Sequence, residues 1–163
     1  MIRVLLTNHV LSGALIGAVA RRPATAFAAG VVSHFALDAV PHWGDWASIR
    51  HFLKVAVPDG LISLAAMGAF AALTPAERRA AVVAGMAGAA LPDIDKPAKL
   101  WFGRTPWPRV VDEFHQRIQP EAPRRAHIEL LAAAGFGTAA ILVLRSRPAA
   151  GSAARPGWPG RRA

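Results

Sequence analysis

Residues 33–46 read SHFALDAVPHWGDW. An apolar Ala/Val/Phe run that starts near residue 24 ends there with two histidines and two aspartates. A charge in such surroundings is costly unless it is paired, hydrogen-bonded or bound to an ion. His34 and Asp38 are four residues apart and share a face on a helix. His42 follows just past the break that Pro41 imposes. The stretch predicts an apolar helical segment over 24–41 with polar side chains gathered at its carboxyl end.

Working outward, the same apolar texture recurs over 4–20, 52–73, 75–92 and 127–144, which makes five segments. Arg21-Arg22-Pro23 ends the first. In TPAE, Thr74 is predicted to cap a helix, with Pro75 at its first position and Glu77 closing a capping box, and Pro92 ends that segment. Residues 93–126 carry Pro97, Pro106, Pro108, Pro120 and Pro123 and read as a loop with one short helix around 109–118. The final SRPAAGSAARPGWPGRRA is of low complexity. The expected organisation is one domain over 1–145 and a disordered basic tail over 146–163.

The composition agrees. Apolar residues make up 53% of the 163, and tyrosine is absent, while the mean hydropathy is +0.31. Alanine abounds, which suits helices rather than sheets. With no cysteine, disulfides, thiolate metal sites and cysteine nucleophiles are excluded. The net charge of +9 sits in short clusters between apolar runs and in the tail, so no nucleic-acid partner is expected.

The expected fold class is all-α: a polytopic membrane bundle of about five helices with a polar, metal-type site at one end. Residues 4–20, 60–76 and 130–144 contain no Asp, Glu, Lys or Arg, whereas a soluble bundle would show a charged stripe. Small residues recur at packing distance, as at Gly13 and Gly17, and basic residues gather at segment ends. No secretory cleavage site is evident. The expected location is the inner (plasma) membrane, multi-pass, with membrane lipid as partner.

Alternation of the segments places the chemistry. In an up-down bundle the starts of odd segments and the ends of even ones lie on one side. His9, His34, Asp38, His42, Asp59, Asp93, Asp95, His127 and Glu129 then fall in one layer. Arg21, Arg22, Arg78, Arg79, Arg145 and Arg147 fall at the other end, with Glu77 the only acid there. The candidate metal ligands are His9, His34, Asp38, His42, Asp93, Asp95, His115 and His127. Imidazole and carboxylate without thiolate suit zinc, or manganese or iron. Asp59 and Glu129 are the carboxylates left for general-base work. The bland readings are that Asp59 serves a helix dipole, that Asp45 opens a turn, and that His51, between Arg50 and Lys54, is solvated. Trp43, Trp46, Trp101 and Trp107 flank the layer as an interface belt.

The segments NHVLSGALIGA, SHFALDAVPHWGD and ALPDIDKP, taken in order, resemble the bacterial membrane-bound metal-dependent hydrolase-like proteins. That group includes the LexA-binding inner-membrane-associated hydrolases and is distantly like zinc-dependent phospholipase C. The resemblance covers roughly residues 7–130. It implies metal roles for His9, Asp93 and Asp95, and extends to His34, Asp38 and His42. The family's His-Arg-Gly and Thr-His-Ser element is missing here, and only His115 and His127 stand in that region. The expected function is a metal-dependent hydrolase acting on a phosphoester or ester of a lipid. The alternative is a non-enzymatic membrane protein that binds or passes a cation or proton.

Overall fold

The computed structural model describes residues 5–43, 48–120, 122 and 124–146. Asp45, Trp46, Arg147 and the tail from residue 147 onward lie outside the described residues. The chain is all-α. The helices are α1 (Leu6–Ala20), α2 (Pro23–Asp38), α3 (Ile49–Leu73), α4 (Ala76–Ala90), α5 (Asp95–Phe102), α6 (Arg109–Arg117) and α7 (Ala126–Ser146), with a 3₁₀ turn at Leu91–Ile94. No strand occurs among the described residues.

Local chemistry sets the helix ends. Arg21 takes a left-handed conformation (φ 60°) and closes α1, and Pro23 opens α2 where a missing N–H is harmless. The two-residue link folds α2 back along α1. Gly103, also left-handed, ends α5 and donates its N–H to the Lys99 carbonyl at 3.0 Å.

Two local expectations are corrected. Thr74 does not open a capping box. It is the carboxyl cap of α3, and Arg79 reaches back to its carbonyl from Nε (3.3 Å) and Nη2 (3.2 Å), while α4 begins after Pro75 without a side-chain cap. Residues 93–126 hold two helices rather than one. Pro97 is the third residue of α5, in the first turn, whose N–H groups have no intrahelical partner in any helix, so the ring removes no bond.

α4 lies between α2 and α1, and α1 also packs against α7, α2 and α3. The core beneath them is Val10, Ala14, Ala18, Val82, Met86 and Ala140. Glycine makes this contact close. A methyl group placed on Gly13 would meet the Gly85 carbonyl and lie 2.7 Å from Gly85 C and 2.8 Å from Met86 Cα, and one on Gly88 would lie 2.9 Å from Phe27 C. The backbones of α1, α2 and α4 thus touch with nothing between them, as small residues permit.

The poles of α1 are closed by other helices. Asp59 of α3 accepts the Leu6 N–H at 2.7 Å and the Thr7 N–H at 3.3 Å, and Glu129 of α7 accepts the Leu5 N–H at 3.3 Å. At the opposite pole the buried Arg78 donates to the carbonyls of Ala18 (2.6 Å) and Leu144 (3.3 Å). Carboxylates at the amino end and a guanidinium at the carboxyl end both complement the helix dipole.

α3 and α7 are long and apolar enough to cross a membrane, and only 6% and 11% of their apolar windows are buried. Leu61, Ile62, Leu64, Leu130, Leu131 and Leu142 face outward. α1, α2 and α4, at 15, 16 and 15 residues, are shorter than the ~20 residues of a full span.

Candidate metal centre

Four side chains from three parts of the chain meet below the carboxyl end of α2. His34 and Asp38 come from successive turns of α2, Asp93 from the 3₁₀ turn after α4, and His115 from α6. All four are buried, and one donor atom of each lies within 4.8 Å of the others. His34 Nε2 is 3.0 Å from His115 Nε2, 3.2 Å from Asp38 Oδ2 and 3.5 Å from Asp93 Oδ1. His115 Nε2 is 2.8 Å from Asp38 Oδ2 and 3.7 Å from Asp93 Oδ1.

These separations have a chemical meaning. A tetrahedral ion bound at ~2.0–2.2 Å holds its ligand atoms about 3.3–3.6 Å apart, which is the bond length times the edge ratio of a tetrahedron. The five distances, 2.8 to 3.7 Å, bracket that edge. The group can therefore hold a metal ion with little rearrangement.

The surroundings prepare the donors. His34 Nδ1 is 2.7 Å from the Ala89 carbonyl, which can only accept, so Nδ1 carries the proton and Nε2 keeps its lone pair for the centre. Gln119 Nε2 donates to Asp38 Oδ2 at 2.5 Å and aims that carboxylate. Burial holds the His115 imidazole below its usual value of 6.5, so the ring is neutral near pH 7, the form that ligates metal. Lys96 pairs with Asp93 Oδ1, the oxygen that faces both histidines.

His9 stands beside the four. Its ring stacks on His34 at 4.0 Å between centroids, and its Nε2 is 3.3 Å from Asp38 Oδ1. Neither atom of that pair has a hydrogen bond, and both are buried. Asp38 thus presents one oxygen to His34 and His115 and the other to His9.

The remaining candidates lie outside the group of four. His42 is buried with Nδ1 donating to the Val40 carbonyl at 2.8 Å, because the turn after α2 folds the ring onto its own backbone. Asp95 opens α5, fully buried, and meets Lys99 Nζ at 3.2 Å; Lys99 also pairs with Asp112, so this carboxylate ties α5 to α6 and helps place His115. His127 is exposed in the first turn of α7. Asp59 and Glu129, expected as bases, have their oxygens committed elsewhere. Asp59 Oδ1 also accepts from Thr7 Oγ1 at 2.5 Å, and Glu129 accepts from Asn8 Nδ2 at 2.5 Å and from the Trp43 N–H at 3.4 Å. Trp107 donates Nε1–H to the Pro92 carbonyl at 3.0 Å and braces the 3₁₀ turn that carries Asp93.

Sequence reasoning missed Gln119 and Lys96, and it gave Trp107 to an interface belt rather than to the support of the turn that carries Asp93. Each works across a separation that no local pattern announces, apart from Lys96, whose place next to Asp93 and Asp95 in PDIDKP was a visible signal. Comparison of the chain with family models, curated proteins and solved structures finds no match.

Proposed function

We propose that the chain is a multi-pass inner-membrane protein and a metal-dependent hydrolase whose substrate is a phosphoester or ester of a membrane lipid. The observation that carries this reading is the buried four-donor group of His34, Asp38, Asp93 and His115, whose donor atoms all lie within 4.8 Å of one another. Zinc suits a compact set of two imidazoles and two carboxylates, and manganese or iron are the other candidates. A bound ion would supply Lewis acidity and lower the pKa of water there. Around it, Ala89 and Gln119 hold His34 and Asp38 in their ligating states, and the two faces of Asp38 suit a carboxylate that bridges two ions, with His9 on the second side. The likeness to the membrane-bound metal-dependent hydrolase-like proteins points the same way.

The outward apolar faces of α3 and α7 support the membrane reading, since exposed Leu and Ile on this scale favour lipid over water. The conducting alternative has less support. Val10, Ala14, Ala18, Val82 and Met86 fill the bundle between the cluster and the arginine end, which leaves the site open toward one side only.

The test is hydrolysis of a chromogenic phosphodiester and a chromogenic carboxylic ester by detergent-purified protein loaded with Zn²⁺ or Mn²⁺. Activity on at least one that is lost in Asp38→Asn and in His115→Ala supports the proposal. No activity on either, or equal rates in wild type and both variants, overturns it.

A further inference from the structure

The two short helices beside the metal centre are inside out. On α6, Asp112, His115 and Gln116 turn inward. Asp112 pairs with Lys99, Gln116 Nε2 donates to Asp112 Oδ2 at 2.8 Å, and His115 enters the metal centre with 1% of its side chain exposed. Val110, 77% exposed, Phe114, 50% exposed, and Val111 face outward. α5 repeats the inversion: Asp95 is fully buried and meets Lys99 Nζ at 3.2 Å, whereas Leu100, Trp101 (74% exposed) and Phe102 (72% exposed) stand outside. A helix on a water-facing surface puts its apolar stripe against the core and its charges outside. Here the protein side takes the ion pairs and the outer side the large apolar groups, as on a surface that meets something apolar.

We infer that α5 and α6 form a hairpin that lies flat in the leaflet at the metal-centre end, with its apolar face at the boundary between headgroups and acyl chains. The inference rests on the membrane half of the proposed function and not on hydrolysis. Continuity selects lipid as the occupant. Leu100 and Trp101 share a cleft of about 460 Å³ with Val57, Leu61 and Leu64 of α3, so the exposed face of α5 extends the face that α3 turns to the bilayer. Length and backbone set the depth. At 8 and 9 residues the helices fall far short of the ~20 needed to span. The link at 103–108 is irregular and mostly exposed, and hydrocarbon cannot satisfy such backbone groups. Arg104 in the link and Arg117 at the end of α6 are exposed, with side chains long enough to reach lipid phosphates while their stems lie on apolar surface. Because α6 presents His115 to the centre from its other side, the hairpin seats the centre at the level of the ester and phosphate groups of lipids.

The chain has no cysteine, so a spin label attached through Phe102→Cys, Val110→Cys or, mid-way along α3, Leu64→Cys reports one place only. All three positions are exposed, so the label displaces no packing. The experiment is power-saturation electron paramagnetic resonance of the full-length chain in vesicles of phosphatidylcholine and phosphatidylglycerol. It reads collisions with molecular oxygen, which concentrates in lipid, and with a nickel chelate, which stays in water. The labels at 102 and 110 are expected to lose nickel collisions and gain oxygen collisions, at a depth of about 5–10 Å below the headgroups, with the label at 64 deeper still. Free nickel access at 102 and 110 with the label at 64 in lipid overturns the hairpin's placement and leaves the membrane reading standing. Free nickel access at all three overturns both. Low collision rates with both reagents at 102 and 110 mean that protein covers the face, a second copy where the labels also broaden each other's lines, and overturn the inference equally.

Discussion

Replacing Gly13 by alanine should destabilise the bundle, although the same exchange at most helical positions stabilises. The added methyl would lie 2.7 Å from Gly85 C and 2.8 Å from Met86 Cα, against ordinary contacts of about 3.5–4.0 Å. α1 and α4 must then part by roughly 0.7–1 Å, a gap that forfeits a quarter to a half of each dispersion contact across the interface. Summed over the interface the loss should come to about 2 kcal/mol, the middle of the range for overpacked sites. Gly68 in α3 is the control, because a Cβ there meets nothing within 4 Å. Gly68→Ala should gain about 0.8 kcal/mol from helix propensity alone. Both exchanges share that gain, so the difference between the two variants isolates the packing loss of about 2 kcal/mol. Read by circular dichroism during thermal unfolding in one detergent, it corresponds to roughly 4–8 °C. A Gly13→Ala protein that melts with or above Gly68→Ala would refute the close backbone contact of α1 and α4.

Four further outcomes are expected. Asp59→Ala should lower stability by about 1–2 kcal/mol, as loss of a helix cap does, while bound metal per chain stays at the wild-type level; loss of metal instead would return Asp59 to the site. Gln119→Leu should weaken metal binding by roughly 10–100-fold, measured by competition with a chromogenic chelator, since it leaves Asp38 unaimed. Leu64→Arg, on the outward face of α3, should cost about 2.5–3.5 kcal/mol of insertion in a glycosylation-tag assay; unimpaired insertion would count against α3 as a span. For pH, His115 has a folded pKa below its unfolded value near 6.5, so the unfolded chain binds the extra proton. Stability of the metal-free protein should be fully present above ~6.5 and fall as the pH drops below it, and denaturant midpoints across pH 5–8 check this.

Much of the architecture could be read from the chain because its punctuation is local. Arg21-Arg22-Pro23, Pro75 and Pro92 stop or start helices by chemistry contained within a few residues, and the apolar segments differ from α1, α2, α3, α4 and α7 by at most three residues at either end. Alternation of direction then brought His34, Asp38 and Asp93 to one end without any knowledge of contacts. The glycine spacing at Gly13 and Gly17 marked the face that α4 covers, since Gly17 meets Ala81 and Val82. What escaped were roles set by partners far along the chain. Asp59 and Glu129 look like free acids in sequence and become caps only because α1 begins beside them, 53 and 124 residues away. Thr74-Pro75-Ala76-Glu77 has the letters of a capping box, yet the α3 terminus claimed Thr74. α5 hid behind Pro97 because a proline in a first turn and a proline in a loop look alike.

The central claim is that His34, Asp38, Asp93 and His115 bind a divalent metal, and Co²⁺ tests it most directly. Cobalt added to chelator-stripped protein in detergent should bind at roughly one ion per chain in the four-donor site and give the intense visible absorption of four-coordinate Co²⁺, displaced by Zn²⁺. Asp38→Asn, which keeps the shape and removes a ligand charge, should abolish that band while the helical circular dichroism persists. A wild-type protein that shows no such band, binds neither Co²⁺ nor Zn²⁺, and matches Asp38→Asn in both respects would contradict the account.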